Sequence, residues 1–226
     1  MNEPMSNHWV LSEDSFDPGK QHHKETIFTI GNGYLSTRGA FEEGFPGDHR
    51  ATFVHGVFDD VPITFTELAN IPDWLSLIVL LNGEPFSMEA GTIQSYERHL
   101  DLQTGILTRT IRWCSLAGCT ATLIFERFAS LADEHVLCLR CKVIPEYDGT
   151  LEIRAALDSN VDNVGIAHWR WVKQGLVHET VSDKDIVYLQ TRTRATDTDL
   201  ALSMRLDTDQ MDSQPHFWDA HGVRGE

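Results

Sequence analysis

Positive charge is what this chain has least of. Its 226 residues carry 18 Lys and Arg against 34 Asp and Glu, a formal net charge of -16. Such a surface repels phosphate backbones and anionic headgroups, which excludes nucleic acid and charged lipid as partners. The opening stretch Met1-Asn-Glu-Pro-Met-Ser-Asn-His8 has neither the basic nor the apolar segment of a secretory leader. The longest apolar run, Trp74 to Leu81, is too short to span a bilayer. These absences predict a cytoplasmic protein with no membrane partner.

Cysteine is sparse as well. Cys114-x4-Cys119 and Cys138-x2-Cys141 have a loose zinc-ribbon spacing. Val136 to Val143, however, has the composition of a strand, whose side chains alternate between faces. Residues three apart then point to opposite sides, so Cys138 and Cys141 cannot chelate one ion. Cys114 and Cys119 flank Ser-Leu-Ala-Gly, a hairpin turn, and in a reducing compartment stay free thiols. His22-His23 lacks the spacing of helical metal ligands, and there is no HExxH, no Gly-x-Ser-x-Gly elbow and no phosphate-binding loop. No metal, cofactor or nucleotide chemistry is expected.

What the chain does have is a succession of short apolar or alternating runs: Gly105 to Thr110, Thr110 to Cys114, Thr120 to Phe128, His135 to Ile144, Leu151 to Leu157, Ile186 to Arg194 and Leu200 to Leu206. Turn signals fall at Asn82-Gly83, Asp148-Gly149 and Ser182-Asp183. No stretch sustains a helical period, although Phe65 to Leu75 has room for a helical turn or two. The expected fold is all-β, an antiparallel sandwich forming one domain over residues 1–226.

One segment is more particular. Glu25-Thr-Ile-Phe-Thr-Ile-Gly31-Asn-Gly-Tyr-Leu-Ser-Thr-Arg38-Gly-Ala-Phe-Glu-Glu43 has the form of a strand, Thr26 to Ile30, entering a tight turn through Gly31-Asn32-Gly33. Its residue order resembles the opening signature of glycoside hydrolase family 65, which comprises the inverting maltose, trehalose and kojibiose phosphorylases and acid trehalases. The resemblance continues in order through His8-Trp9 followed by Phe16-Asp17, Gly56-Val-Phe-Asp59, Glu67-Leu-Ala-Asn-Ile-Pro-Asp-Trp-Leu75, Leu81-Asn-Gly-Glu84, Tyr96 to Asp101, Gly105 to Arg109, Glu126 to Ser130 and Leu157 to Asn163. It implies a two-sheet supersandwich of the kind that precedes an (α/α)6 helical barrel. In the family that barrel holds the catalytic glutamate and the phosphate-binding residues, and neither maps onto this chain. The resemblance therefore assigns no catalytic residue here. The resemblance implies inorganic phosphate as the co-substrate of the parent enzyme, and no cofactor.

The carboxylate pairs Glu42-Glu43, Asp59-Asp60 and Asp133-Glu134 are neighbours, so on a strand they point apart and cannot share a substrate. Asp158-Ser-Asn-Val-Asp162-Asn lies at a strand end, where such residues bond to backbone. Arg38 is expected to pin the glycine turn through Glu25 or Glu42. Arg98, Asp101 and Arg109 are expected to hold hairpin register by opposite charge. Trp169-Arg-Trp171 places two indoles on one strand face, suited to stacking on sugar rings or to burial, and Trp74 and Trp218 add to the aromatic supply. The candidates for contact with substrate or with a helical domain are Arg38, Asn32, Tyr34, Trp169, Trp171 and Asp158.

Two functions follow. One is a non-catalytic N-terminal domain of a disaccharide phosphorylase, partnered by a helical catalytic domain and capable of homodimerisation. The other is a free-standing carbohydrate-binding sandwich, or the same domain of a trehalase-type hydrolase. The tail from Asp207 to Glu226 has no recognisable capping strand, which favours the first and suggests a chain cut near the end of the sandwich. The absent leader favours a cytoplasmic phosphorylase over a secreted hydrolase.

Overall fold

The computed structural model describes residues 8–61, 65–179, 184–209, 218–219 and 222–225. They form an all-β, antiparallel fold. In chain order the strands begin with β1 (Val10–Glu13), β2 (Ile30–Gly31), β3 (Leu35–Thr37), β4 (Thr52–Val54), β5 (Phe58–Val61), β6 (Phe65–Leu68), β7 (Leu77–Leu81) and β8 (Glu84–Pro85). There follow β9 (Thr92–Asp101), β10 (Ile106–Cys114), β11 (Thr120–Ala129), β12 (Leu137–Pro145) and β13 (Leu151–Asp158). The last are β14 (Trp169–Glu179), β15 (Lys184–Thr193), β16 (Asp199–Arg205), β17 (Trp218–Asp219) and β18 (Gly222–Gly225). The chain divides into two compact units, one of Met1–Ala40, Phe45–His49 and Phe86–Gly149, the other of Phe41–Gly44, Arg50–Pro85 and Thr150–Glu226.

The first unit is built on a five-stranded sheet in the order β1-β9-β10-β11-β12. Strict alternation makes one face of it: Leu107, Arg109, Ile111 and Trp113 on β10 and Ala121, Leu123, Phe125 and Arg127 on β11 are all buried. Arg98 and Arg109 sit directly opposite each other in register, so opposite charge does not hold this hairpin, contrary to the expectation. Arg98 instead binds Glu13 of β1 through Nε at 3.0 Å and the terminal nitrogen at 2.9 Å, and donates to the Gly39 carbonyl at 3.0 Å. Arg109 lays its guanidinium over the Phe125 ring at 4.6 Å. Asp101 serves the turn, accepting from the Gln103 amide at 2.8 Å.

Of the expected strand at Thr26 to Ile30 only Ile30 is strand: Thr26 and Ile27 close a helix, α1 (Gln21–Ile27), entered through a 3-10 turn capped by Asp17 with Pro18 behind it. Its buried stripe is Gln21, Glu25 and then Phe28. Two of those three positions are polar, so no hydrophobic period betrays the helix. Phe28 and Ile30 pack with Leu100 and Leu107.

The second unit contains a sheet in the order β17-β18-β13-β7-β8, a three-stranded sheet β14-β15-β16, and the hairpin β5-β6. Its core joins Leu157 of β13 to Val187 and Leu189 of β15, with Trp74, Leu202 and Met204 against them, the face-to-face packing of a sandwich. The Asn82-Gly83 turn between β7 and β8 has positive φ at both residues, 51° and 81°, as a two-residue hairpin requires.

Two expectations fail in this unit. Phe65 to Leu68 is strand rather than a helical turn, paired residue for residue with Phe58 to Val61. The tail does carry a late strand: β18 pairs with Ala155 to Asp158 of β13. Gly222, Val223, Arg224 and Gly225 lack the alternating apolar pattern by which strands are recognised. The turn at Ser182-Asp183 lies outside the described residues, as does the side chain of Trp218.

All four cysteines are half-buried free thiols. Among the described residues no set of His, Cys, Asp and Glu is arranged to hold a metal ion, and no helix is long and apolar enough to cross a membrane.

Candidate functional site

The candidates divide between the units, with Arg38, Asn32 and Tyr34 in the first and Trp169, Trp171 and Asp158 in the second. The first three belong to one hairpin, β2-β3. Gly31 is obligatory there, because an added Cβ would meet the Leu35 carbonyl oxygen at 2.7 Å. Gly33 alone of the Gly-Asn-Gly turn takes positive φ, 91°. Asn32 saturates its amide: Oδ1 accepts from the Tyr34 and Leu35 amides at 3.1 and 3.0 Å, and Nδ2 donates to the Ser130 and Glu134 carbonyls at 2.7 and 2.9 Å. It thereby ties this turn to the segment between β11 and β12. Tyr34 lies beside His135 with ring centroids 4.6 Å apart and remains half-exposed. Arg38 reaches Glu25 Oε2 at 3.4 Å and the His22 carbonyl at 3.3 Å. Glu25, fully buried, also accepts from the His49 amide at 3.2 Å.

The two indoles of Trp169 and Trp171 have different surroundings. Trp169 is 5% exposed and donates Nε1 to the Asn70 carbonyl, whereas Trp171 is 53% exposed with Nε1 on Gln174 Oε1 at 3.3 Å. The register shifts between Trp171 and Lys173, a bulge beside the exposed ring. A stacking surface made of both indoles is therefore not formed. Asp158 holds a local turn, accepting from the Asn160 amide at 2.8 Å, and exchanges backbone hydrogen bonds with Asp73 at 2.7 and 2.9 Å. Asn163 continues the same fastening: Oδ1 accepts from the Asn70 amide at 2.9 Å and Nδ2 donates to the Leu68 carbonyl at 2.7 Å.

A further cluster in the second unit escaped the sequence. His168, 1% exposed, stands between two carboxylates, with Nδ1 3.1 Å from Asp59 Oδ2 and Nε2 2.8 Å from Glu67 Oε1. Asp59 and Glu67 are directly opposite on β5 and β6. Asp59 Oδ1 also accepts from the amides of Ala195 and Thr196 at 2.9 and 3.0 Å and from the Thr196 hydroxyl at 3.3 Å. Burial by itself pushes the Asp59 carboxyl up, but those amides and the His168 ring outweigh it and hold the group below the usual carboxylate range. Asp59 and Glu67 lie in family-like motifs, whereas His168 lies beyond the last of them, Leu157 to Asn163. The separation of His168 from both carboxylates, 109 and 101 positions in sequence, left no spacing signal.

The sequence profile described as "Glycosyl hydrolase family 65, N-terminal domain" matches residues 11–224. A kojibiose phosphorylase of Halothermothrix orenii is 38% identical over 162 residues, covering 71% of this chain and 21% of that protein. An α,α-trehalose phosphorylase of Thermoanaerobacter brockii is 29% identical over 172 residues, covering 69% and 22%. A solved structure from the human microbiome, named after kojibiose phosphorylase, superposes with a TM-score of 0.83 at 21% identity, over 96% of this chain and 29% of that one. The chain thus spans under a third of each of these relatives. With the all-β fold in place and the profile matched nearly from end to end, this chain belongs to glycosyl hydrolase family 65, to which it contributes the N-terminal domain.

Proposed function

We propose that this chain is the non-catalytic N-terminal domain of an inverting disaccharide phosphorylase, which converts an α-glucoside and inorganic phosphate into glucose 1-phosphate and glucose in the cytoplasm. One observation carries the proposal. The N-terminal-domain profile accounts for residues 11–224, yet the chain covers only 21% of a kojibiose phosphorylase and 22% of a trehalose phosphorylase. Catalysis then belongs to the length this chain does not span, a helical domain that is its partner.

The chemistry is consistent with that division. Inverting phosphorolysis needs one carboxylic acid kept protonated to release the glycosidic oxygen, because phosphate itself is the nucleophile. Asp17, Asp59, Asp101, Glu146 and Asp199 are all held below their ordinary range, the opposite of what a general acid requires. Within this proposal Trp171 and Tyr34 offer the contacts to sugar or to the helical domain, since their rings are open. Asn32, Arg38, Trp169 and Asp158 act by holding the segments that present them.

The test sets the 226-residue chain beside the full product of its reading frame, each with kojibiose, trehalose or maltose and phosphate. The chain alone should release no glucose 1-phosphate above blank, and the full product should release it from one of the three. Turnover by the chain alone would overturn the proposal. Hydrolysis to two glucoses without phosphate uptake by the full product would replace it with a trehalase-type parent.

A further inference from the structure

The Asp59–His168–Glu67 chain has a proton count that its geometry dictates. A hydrogen bond needs one proton between its heavy atoms, and a carboxylate supplies none. Both ring nitrogens of His168 lie within bonding distance of a carboxylate oxygen, 3.1 Å to Asp59 and 2.8 Å to Glu67. A neutral imidazole carries one N–H and so satisfies one contact; the other would set a nitrogen lone pair against oxygen lone pairs in a buried site. Asp59 is a poor place for the missing proton: Oδ2 faces the ring, but Oδ1 accepts from the Ala195 and Thr196 amides and the Thr196 hydroxyl, which favours the carboxylate and holds it below its ordinary range.

We propose that this cluster is a buried proton-binding site, in which two protons bridge Asp59, His168 and Glu67 and latch the β5-β6 hairpin onto the start of β14 and the 194–196 turn. The bound proton resides on His168 Nε2 or on Glu67, and it reaches solvent through Glu67, whose side chain is 26% exposed while those of Asp59 and His168 are 1% and 2%. The other charged groups around the site leave the count unchanged. Arg194 directs its Nε to the Trp169 carbonyl and its backbone amide to the His168 carbonyl. Asp197 pairs with Arg170 at the surface.

The consequence is a stability limb on the alkaline side. Once the unfolded His168 has lost its extra proton, above about pH 6.5, the native cluster holds one proton more than the unfolded chain. Stability then falls as pH rises, by up to about tenfold in the folding constant per pH unit. Glu67→Gln supplies its own donor: its amide N–H can reach the Nε2 of a neutral His168 whose Nδ1–H faces Asp59. The substituted chain needs no second proton and should lose this limb.

The experiment is urea unfolding of the chain and of Glu67→Gln from about pH 6.5, the unfolded-state limit, up to about pH 9.5, alongside nitrogen-15 NMR of the His168 ring in the unsubstituted protein. The expected result is a ratio of folding constants that tilts toward Glu67→Gln with rising pH. With it, the NMR should show either both ring nitrogens protonated at neutral pH, or Nδ1 protonated with a proton shared between Nε2 and Glu67. Parallel pH profiles would overturn the proposal. Should Glu67→Gln fail to fold, NMR decides alone: a singly protonated ring with Glu67 ionised at neutral pH rejects the bound proton.

Discussion

At the scale of single residues, the family-like signature is explained by close packing more than by chemistry. Gly39 donates its amide to the Glu25 carbonyl at 2.7 Å, and its own carbonyl accepts from Arg98. A Cβ there would meet Phe28 Cβ at 2.7 Å and the Phe28 carbonyl oxygen at 2.9 Å. Since one of those atoms is backbone, the neighbour cannot rotate away. Gly39→Ala should therefore cost about 2 kcal/mol or more, the usual range for overpacking a core. Gly105 is the control: its φ is 70° and a Cβ there would have nothing within 4 Å, so Gly105→Ala should cost only the roughly 1 kcal/mol of left-handed backbone. Urea unfolding of both variants checks the order, and equal losses would show that Phe28 gives way.

At the scale of elements, the β5-β6 hairpin shows how much one buried anion can hold. A two-stranded hairpin is marginal alone in water, and Asp59 fastens this one to His168 and to the amides of Ala195 and Thr196. Its carboxyl is held below its ordinary value. A group depressed in the folded state contributes stability that is complete above its unfolded pKa, about 3.9, and is lost as pH falls through the folded value. Asp59→Asn should cost about 3 kcal/mol at pH 7, the range for breaking one side of a buried ionic contact. That cost should shrink as both proteins are taken below about pH 4, where the unfolded chain's aspartate takes up a proton that the native Asp59, held lower, does not yet bind. A difference that stays constant into acid would mean that Asp59 contributes packing rather than charge. The same elements mark what the sequence made legible. The alternation along β10 and β11 is unambiguous because one face is buried throughout, and the Asn82-Gly83 turn follows from backbone sterics alone. Helix α1 was not legible, because its buried stripe is Gln21 and Glu25 before Phe28. Nor was the His168 cluster, whose partners come from strands distant in sequence. Arg38 was foreseen as a pin for the turn and does bind Glu25, whereas Trp169 is buried and Trp171 exposed, a difference that their shared place on alternate positions of one strand did not foretell.

At the scale of the whole molecule the dominant fact is the net charge of -16. Surface ion pairs such as Arg112–Glu146 and Arg192–Asp199, each closing to 2.6 Å, are exposed, so water and salt already screen them and they contribute little. The unpaired excess of acid acts over longer distances: like charges brought together by folding repel, and the unfolded chain relieves that repulsion by expanding. Salt weakens both effects, but the two are unequal here, because 34 acidic residues face only 18 basic ones. Raising ionic strength from about 0.01 M to about 0.15 M shortens the screening length from about 30 Å to about 8 Å, enough to damp repulsion across a domain while buried contacts such as Arg98–Glu13 are hardly touched. Added sodium chloride should therefore raise the thermal midpoint of this chain by a few degrees, equivalent to roughly 1 kcal/mol for a protein of this size. A scanning-calorimetry series at fixed neutral pH measures it. A midpoint that falls with salt would mean that the exposed pairs outweigh the net repulsion, and the charge excess would then have to be neutralised locally by arrangements stronger than isolated surface bridges.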